Sequence, residues 1–133
     1  TLRERLVTIL HVGYFFVPLG FLLNSAAAFH LVEDSAAIHA WMVGAAGIMT
    51  LAVMTRASLG HTGQALTASI GTQAIYAAII IAAVARICAV IHTSQGDLLL
   101  HVAAFAWAAA FLGFALAYGP LLVRRDPRLR PAG

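Results

Sequence analysis

Six histidines stand in a chain of 133 residues that is otherwise mostly apolar. They are His11, His30, His39, His61, His92 and His101. Imidazole is both a metal ligand and a proton-transfer group, and burial favours the neutral form that ligates. None of the six falls in an HxxxH spacing, so a shared site must be assembled between separate elements. The sole cysteine, Cys88, forbids an internal disulfide and reads as a buried thiol, and the missing CxxCH excludes covalent haem attachment. Three methionines, Met42, Met49 and Met54, add soft thioether sulfur. His39, Met42, Ala46, Met49, Val53 and Arg56 follow alternating steps of three and four, which places them on one helical stripe. Such a stripe serves either as adaptable core filler or as a ligand set, with thioether plus imidazole suiting copper and imidazole alone suiting haem iron.

The elements that position these groups follow from composition. Hydrophobic residues make up 62% and charged residues 10% of the chain, more apolar surface than a soluble domain of this length hides. A bilayer core of about 30 Å needs roughly 20 apolar residues. Spans are predicted over about 6–31, 36–55, 66–91 and 98–123, within one transmembrane domain covering 1–133. Gly, Ser, Asp and Arg punctuate the breaks VEDS, RASLGHTGQ and HTSQGD and the tail RRDPRLRPAG. Missing alternation and excess length exclude a β-barrel. The start of the chain does not read as a signal peptide.

All eight basic residues are arginines. They sit at the ends of apolar runs rather than in a stripe with interleaved aromatics, which argues for membrane anchoring and against nucleic acid. Arg3, Arg5, Arg56 and the arginines of the tail mark one side, and Glu33, Asp34 and Asp97 mark the other. The positive-inside rule then predicts both termini in the cytoplasm. Short breaks predict an all-α integral membrane protein, an antiparallel up-down bundle of four transmembrane helices. Ser25 to Ala28, Gly44 to Gly47 and Gly71 to Ala74 are expected at close helix contacts, and Pro18 is expected to kink the first helix.

This topology sorts the chemistry by depth. His30, His39, His92 and His101 gather in an outer layer, each also readable as a boundary residue. His39 and His101 lie within apolar runs, where an ionisable residue is a functional candidate. Arg86 lies nearby, suited to snorkel outward or to pair with Asp97, Glu33 or a haem propionate. An inner constellation gathers His11, Tyr14, Arg56 and His61, provided that Gly60 and Gly63 fold the second break back against the helices. That break, RASLGHTG, lacks the GK[ST] of a phosphate loop. Trp107, Phe111, Phe114 and Tyr118 form an aromatic stripe that reads as packing or lipid face before cofactor wall.

The run from His39 through Met49 to Arg56, His61 and Gly63 closely resembles the central motif of the NnrS family of bacterial inner-membrane proteins. LHVGYFFVPLGFLL, Arg86 and the W…F…YGP pattern of the last helix resemble that family too, so the likeness covers essentially the whole chain. It implies non-covalent b-type haem, copper and a role in the response to nitric oxide and nitrosative stress during denitrification. It also implies a longer protein of which this chain is the C-terminal portion, associating with further helices or with a second copy. The family motif continues with a basic residue where Gln64 stands, so no anionic contact carries over there.

The expectation is a haem- and copper-binding protein of the bacterial inner membrane that meets nitric oxide as a gas dissolved in lipid. His39 and His101 are the outer ligand candidates, with Arg86 on a propionate. His11 and His61 are the inner candidates, beside Arg56, Tyr14, Met49 and Met54. No acid–base pair points to enzymatic turnover. A bis-histidine electron carrier and a metal-free transporter or proton-relay fragment are the alternatives.

Overall fold

The computed structural model describes residues 2–123 and forms helices with no strand among them. Helix α1 covers Leu2–Ala28, α2 covers Ser35–His61, α3 covers Ile70–Ile91, and α4 covers Gly96–Val123 after a short 3-10 turn at Thr93–Gln95. Each of the four is long and apolar enough to cross a membrane. The expected spans therefore exist, with α1 placed earlier, at Leu2–Ala28 rather than about 6–31, and two further ends shifted. α2 continues to His61 rather than stopping near Thr55, and α3 begins at Ile70 rather than Leu66. Apolar character ends before helical character does, because Arg56, Ala57, Ser58 and Leu59 all tolerate a helix. Ser69 caps α3, its hydroxyl accepting from the Thr72 amide at 3.2 Å.

The helices pack in sequence order. α1 lies on α2, α2 on α3, and α3 makes the most extensive contact of all with α4, which also touches α2. α1 makes no comparable contact with α3 or α4, apart from the Arg5 guanidinium donating to Gln73 Oε1. Ile48, Leu51, Ile75, Ile79, Ala83, Ala110 and Phe114 fill the shared core. Large apolar side chains such as Phe15, Phe21, Leu22, Phe105 and Leu116 are exposed on the outer faces of α1 and α4, as suits a lipid solvent.

Glycines set the α1–α2 contact. A Cβ at Gly20 would run into the Trp41 indole, one at Gly44 into the Phe16 ring, and one at Gly13 would lie 2.7 Å from Met49 Cγ. Each small residue receives a large one from the facing helix, and the Trp41 indole donates to the Val17 carbonyl at 3.1 Å. The small-residue expectation holds at Gly44 and fails at Gly71 and Ser25, which are exposed. Pro18 lies inside a helix that runs on through it.

The middle of α2 is unexpected: Ala40–Gly47 is π-helical. A π turn adds a residue per turn and rotates the rest of the helix about its axis, and long stretches are rare. Five of the eight residues of AWMVGAAG are Ala or Gly, and the segment is wedged between α1 and α3. The stripe from His39 to Arg56 assumed a regular helix. Its Met42, Ala46, Val53 and Arg56 are exposed and its His39 and Met49 half-buried, so the stripe is not the core face.

Candidate functional site

His39 is half-buried just before the π turn, close enough to Arg86 of α3 for their charges to act on each other. Arg86, also half-buried, lines a cleft of about 190 Å³ with Val43, Ala82, Leu100, Ala103, Ala104 and Trp107. A guanidinium and an indole thus border one apolar recess between α2, α3 and α4, with the His39 imidazole outside its lining. His101 is exposed, its Nδ1 bonded at 2.6 Å to the Asp97 carbonyl one turn back, and no hydrogen bond joins it to His39. His30 lines a separate pocket of about 340 Å³ with Glu33, Asp34 and Thr93, while His92 is exposed at the end of α3.

At the opposite depth, His11 and Tyr14 face outward from α1 and share a groove of about 430 Å³ with Leu10 and Met49. His11 Nδ1 is bonded to the Val7 carbonyl at 2.9 Å, which leaves Nε2 turned to the groove's surroundings. His61 does not join them by any hydrogen bond. The expected fold-back of the loop is replaced by a helix end: the Gln64 amide bonds the Leu59 carbonyl at 2.9 Å and the Gly63 amide bonds the Gly60 carbonyl at 3.3 Å. Gly63 sits at φ 66°, the left-handed position of a Schellman cap. His61 is exposed on this last turn and Arg56 on the turn before it, and Met54 is half-buried.

The sequence reading missed a third set of groups. Thr55, Ser58, Thr72, Tyr76 and Tyr118 are all buried where α2, α3 and α4 meet. Thr72 Oγ1 and Tyr118 Oη are 2.5 Å apart, and Ser69 Oγ is 3.1 Å from Thr72 Oγ1. Thr72 and Tyr76 are one turn apart on α3, and Phe114 stacks on Tyr118 at 4.9 Å between centroids. The lower part of the aromatic stripe is therefore packing, as expected, with a polar end that its ring periodicity did not announce.

A model of the NnrS protein family matches residues 1–125. The chain belongs to the NnrS family. No curated protein and no solved structure matched it. With four helices apt to cross a membrane, this NnrS chain is a multi-pass membrane protein. The groups that the family resemblance implies can be tested against the donors. For haem, Arg86 and Trp107 line the recess as a cation suited to a propionate and an aromatic wall, and His39, near Arg86 but outside that lining, offers an imidazole, a donor set whose chemistry suits the group. For copper, His11 and Met49 share a groove as nitrogen and thioether donors. No cluster of three or more His, Cys, Asp or Glu suited to a metal ion occurs among the described residues.

Proposed function

We propose that this chain is a haem-binding part of a bacterial inner-membrane protein that responds to nitric oxide. The observation that carries the reading is Arg86, a cation lining an apolar recess beside Trp107 with His39 near enough to feel its charge, in a chain of the NnrS family. An unpaired cation at that depth costs roughly 2.5–3.5 kcal/mol on insertion scales, so Arg86 gains from an anionic partner there. In this reading His39 would supply an imidazole donor to the haem. Arg86 anchors a propionate, Trp107 and Ala103 exclude water, and His101 is a second outer donor after a rotamer change. Ferrous haem supplies the affinity for nitric oxide when bound.

Copper, in the same reading, belongs to the groove of His11 and Met49, with Tyr14, Met54, Arg56 and His61 at the same depth. Its remaining donor comes from further helices or a second copy of the chain lying against α1. The up-down arrangement and the cytoplasmic placement of both termini are part of this proposal. They draw support from the short connections and from Arg5 meeting Gln73 at the start of α3.

The test is the visible spectrum of the purified full chain expressed with haem supplied. A Soret band that moves on adding nitric oxide is expected. His39→Ala is expected to abolish it, and Arg86→Gln to weaken haem retention by about 1.5–3 kcal/mol, the worth of a charge-assisted hydrogen bond. A chain that folds but shows no Soret band overturns the haem reading, and a low-spin band indifferent to nitric oxide overturns the gas-binding role.

A further inference from the structure

We propose that the buried hydroxyls where α2, α3 and α4 meet form a water-holding site, a dead-ended hydrogen-bonded file running from a cavity at the end of these helices to Tyr76. Tyr76 is only 5% exposed, and its Oη is the buried side-chain polar atom that lacks a hydrogen-bond partner among the described residues. Thr55 stands near enough to act on the Tyr76 hydroxyl as a hydrogen-bonding group, and Tyr118 is its other polar neighbour, yet no hydrogen bond of ordinary length and angle reaches Tyr76 Oη. A bare hydroxyl inside a lipid-embedded bundle is costly, since neither lipid nor apolar side chains can pair with it.

A count of donors and acceptors shows the gap. Each hydroxyl donates once and accepts up to twice. Thr55 Oγ1 donates to the Leu51 carbonyl at 2.8 Å, so toward Tyr76 it can only accept. Ser69 Oγ already accepts from the Thr72 amide. When Thr72 donates to Ser69, Tyr118 donates to Thr72, and the Tyr118 oxygen is then left as an acceptor. In that direction of bonding Tyr76 holds a spare donor that faces two spare acceptors. One water closes this set: it accepts from Tyr76 and donates to Thr55 and Tyr118, which gives it the two to four partners a buried water needs.

The bundle also has a supply route. A cavity of about 260 Å³ is lined by Gln64, Thr67, Ser69, Thr72 and Tyr118, together with apolar residues of α2 and α4. It opens beside the helix end at Gly63 and reaches the first two hydroxyls of the file. Beyond Tyr76 the core is closed by Ile48, Leu51 and Ile79, each fully buried, so the file ends inside the bundle and does not cross it. The site is independent of any haem or copper. It gives the bundle interior an exchangeable O–H in contact with one aqueous face.

The experiment is nuclear magnetic resonance of the full chain in lipid nanodiscs, with the three tyrosine rings labelled. Tyr→Phe variants assign the signals, and Thr55→Val, which removes an acceptor at nearly constant shape, tests the site. Cross-relaxation between water and the Tyr76 ring is expected, weakened at least about fivefold in Thr55→Val. Its absence at Tyr76 in the wild-type chain overturns the proposal. Thermal unfolding gives a second readout: Tyr76→Phe is expected to lower the melting temperature, because it strips a bonded water of a partner. A higher melting temperature reveals a dry, unpaired hydroxyl and overturns the proposal equally.

Discussion

His30 and Gly63 hold the same place at the ends of two helices and meet it with different chemistry. Both sit in the left-handed region, at φ 57° and φ 66°, and both close a helix with a backward amide pair. For α1 these are the His30 amide to the Ala27 carbonyl at 2.8 Å and the Leu31 amide to the Ala26 carbonyl at 3.0 Å. Glycine adopts this conformation freely, whereas a side chain bearing Cβ is strained there. His30→Gly is therefore expected to raise stability, and Gly63→Ala to lower it, each by about 1 kcal/mol, offset in the first case by glycine's greater freedom when unfolded. Thermal unfolding in one detergent checks both signs. If His30→Gly lowers stability, the side chain makes contacts in its pocket with Glu33 and Asp34 that outweigh the strain.

At the scale of elements, the α1–α2 contact depends on where side chains are missing. Gly20→Ala puts a methyl group onto the Trp41 indole and displaces its hydrogen bond to Val17. A loss of about 1–3 kcal/mol is expected from overpacking alone, with a change in tryptophan emission. Pairing it with Trp41→Phe should recover part of the loss, because the two changes share one contact. Nothing in the sequence couples Gly20 to Trp41, since the pairing depends on the register between two helices. The helices themselves were legible, because only a run of about 20 apolar residues spans lipid and four such runs stand between clear breaks. The π turn was not, because a periodicity argument presumes 3.6 residues per turn and Ala40–Gly47 departs from it. The candidate site was legible by halves. Arg86 stood out as a charge within an apolar run and His39 as an ionisable residue within another, but the nearness of the two did not, since Asp97, Glu33 or a propionate was the expected partner of Arg86. The hydroxyl file did not stand out, because Thr72, Tyr76 and Tyr118 are ordinary residues until α3 and α4 bring them together.

At the scale of the whole molecule, the distribution of charge argues for one orientation. Arg5 meets Gln73 at the start of α3, and Arg56 lies near the end of α2, so the basic end of α1 and the start of α3 share a side. Glu33 and Asp34 line the pocket with Val90, Ile91 and Thr93 at the end of α3, so the acidic turn belongs to the other side. Arginines near the ends of short loops hold to the cytoplasmic face, and acidic residues exert little pull, so the basic side decides. The tail arginines Arg124, Arg125, Arg128 and Arg130 lie outside the described residues but follow α4 directly in sequence. Alkaline phosphatase joined within 31–34 is expected to be active and joined within 64–68 inactive, with a fluorescent protein giving the mirror pattern. The reverse pattern would place the termini outside, and with them the mouth of the hydroxyl file and the groove of His11 and Met49. Replacing Arg3, Arg5 and Arg56 together by Gln is the sharper form of the same test. If the basic residues set the orientation, that variant is expected to insert as a mixture of both orientations, because only the tail then holds to the cytoplasm.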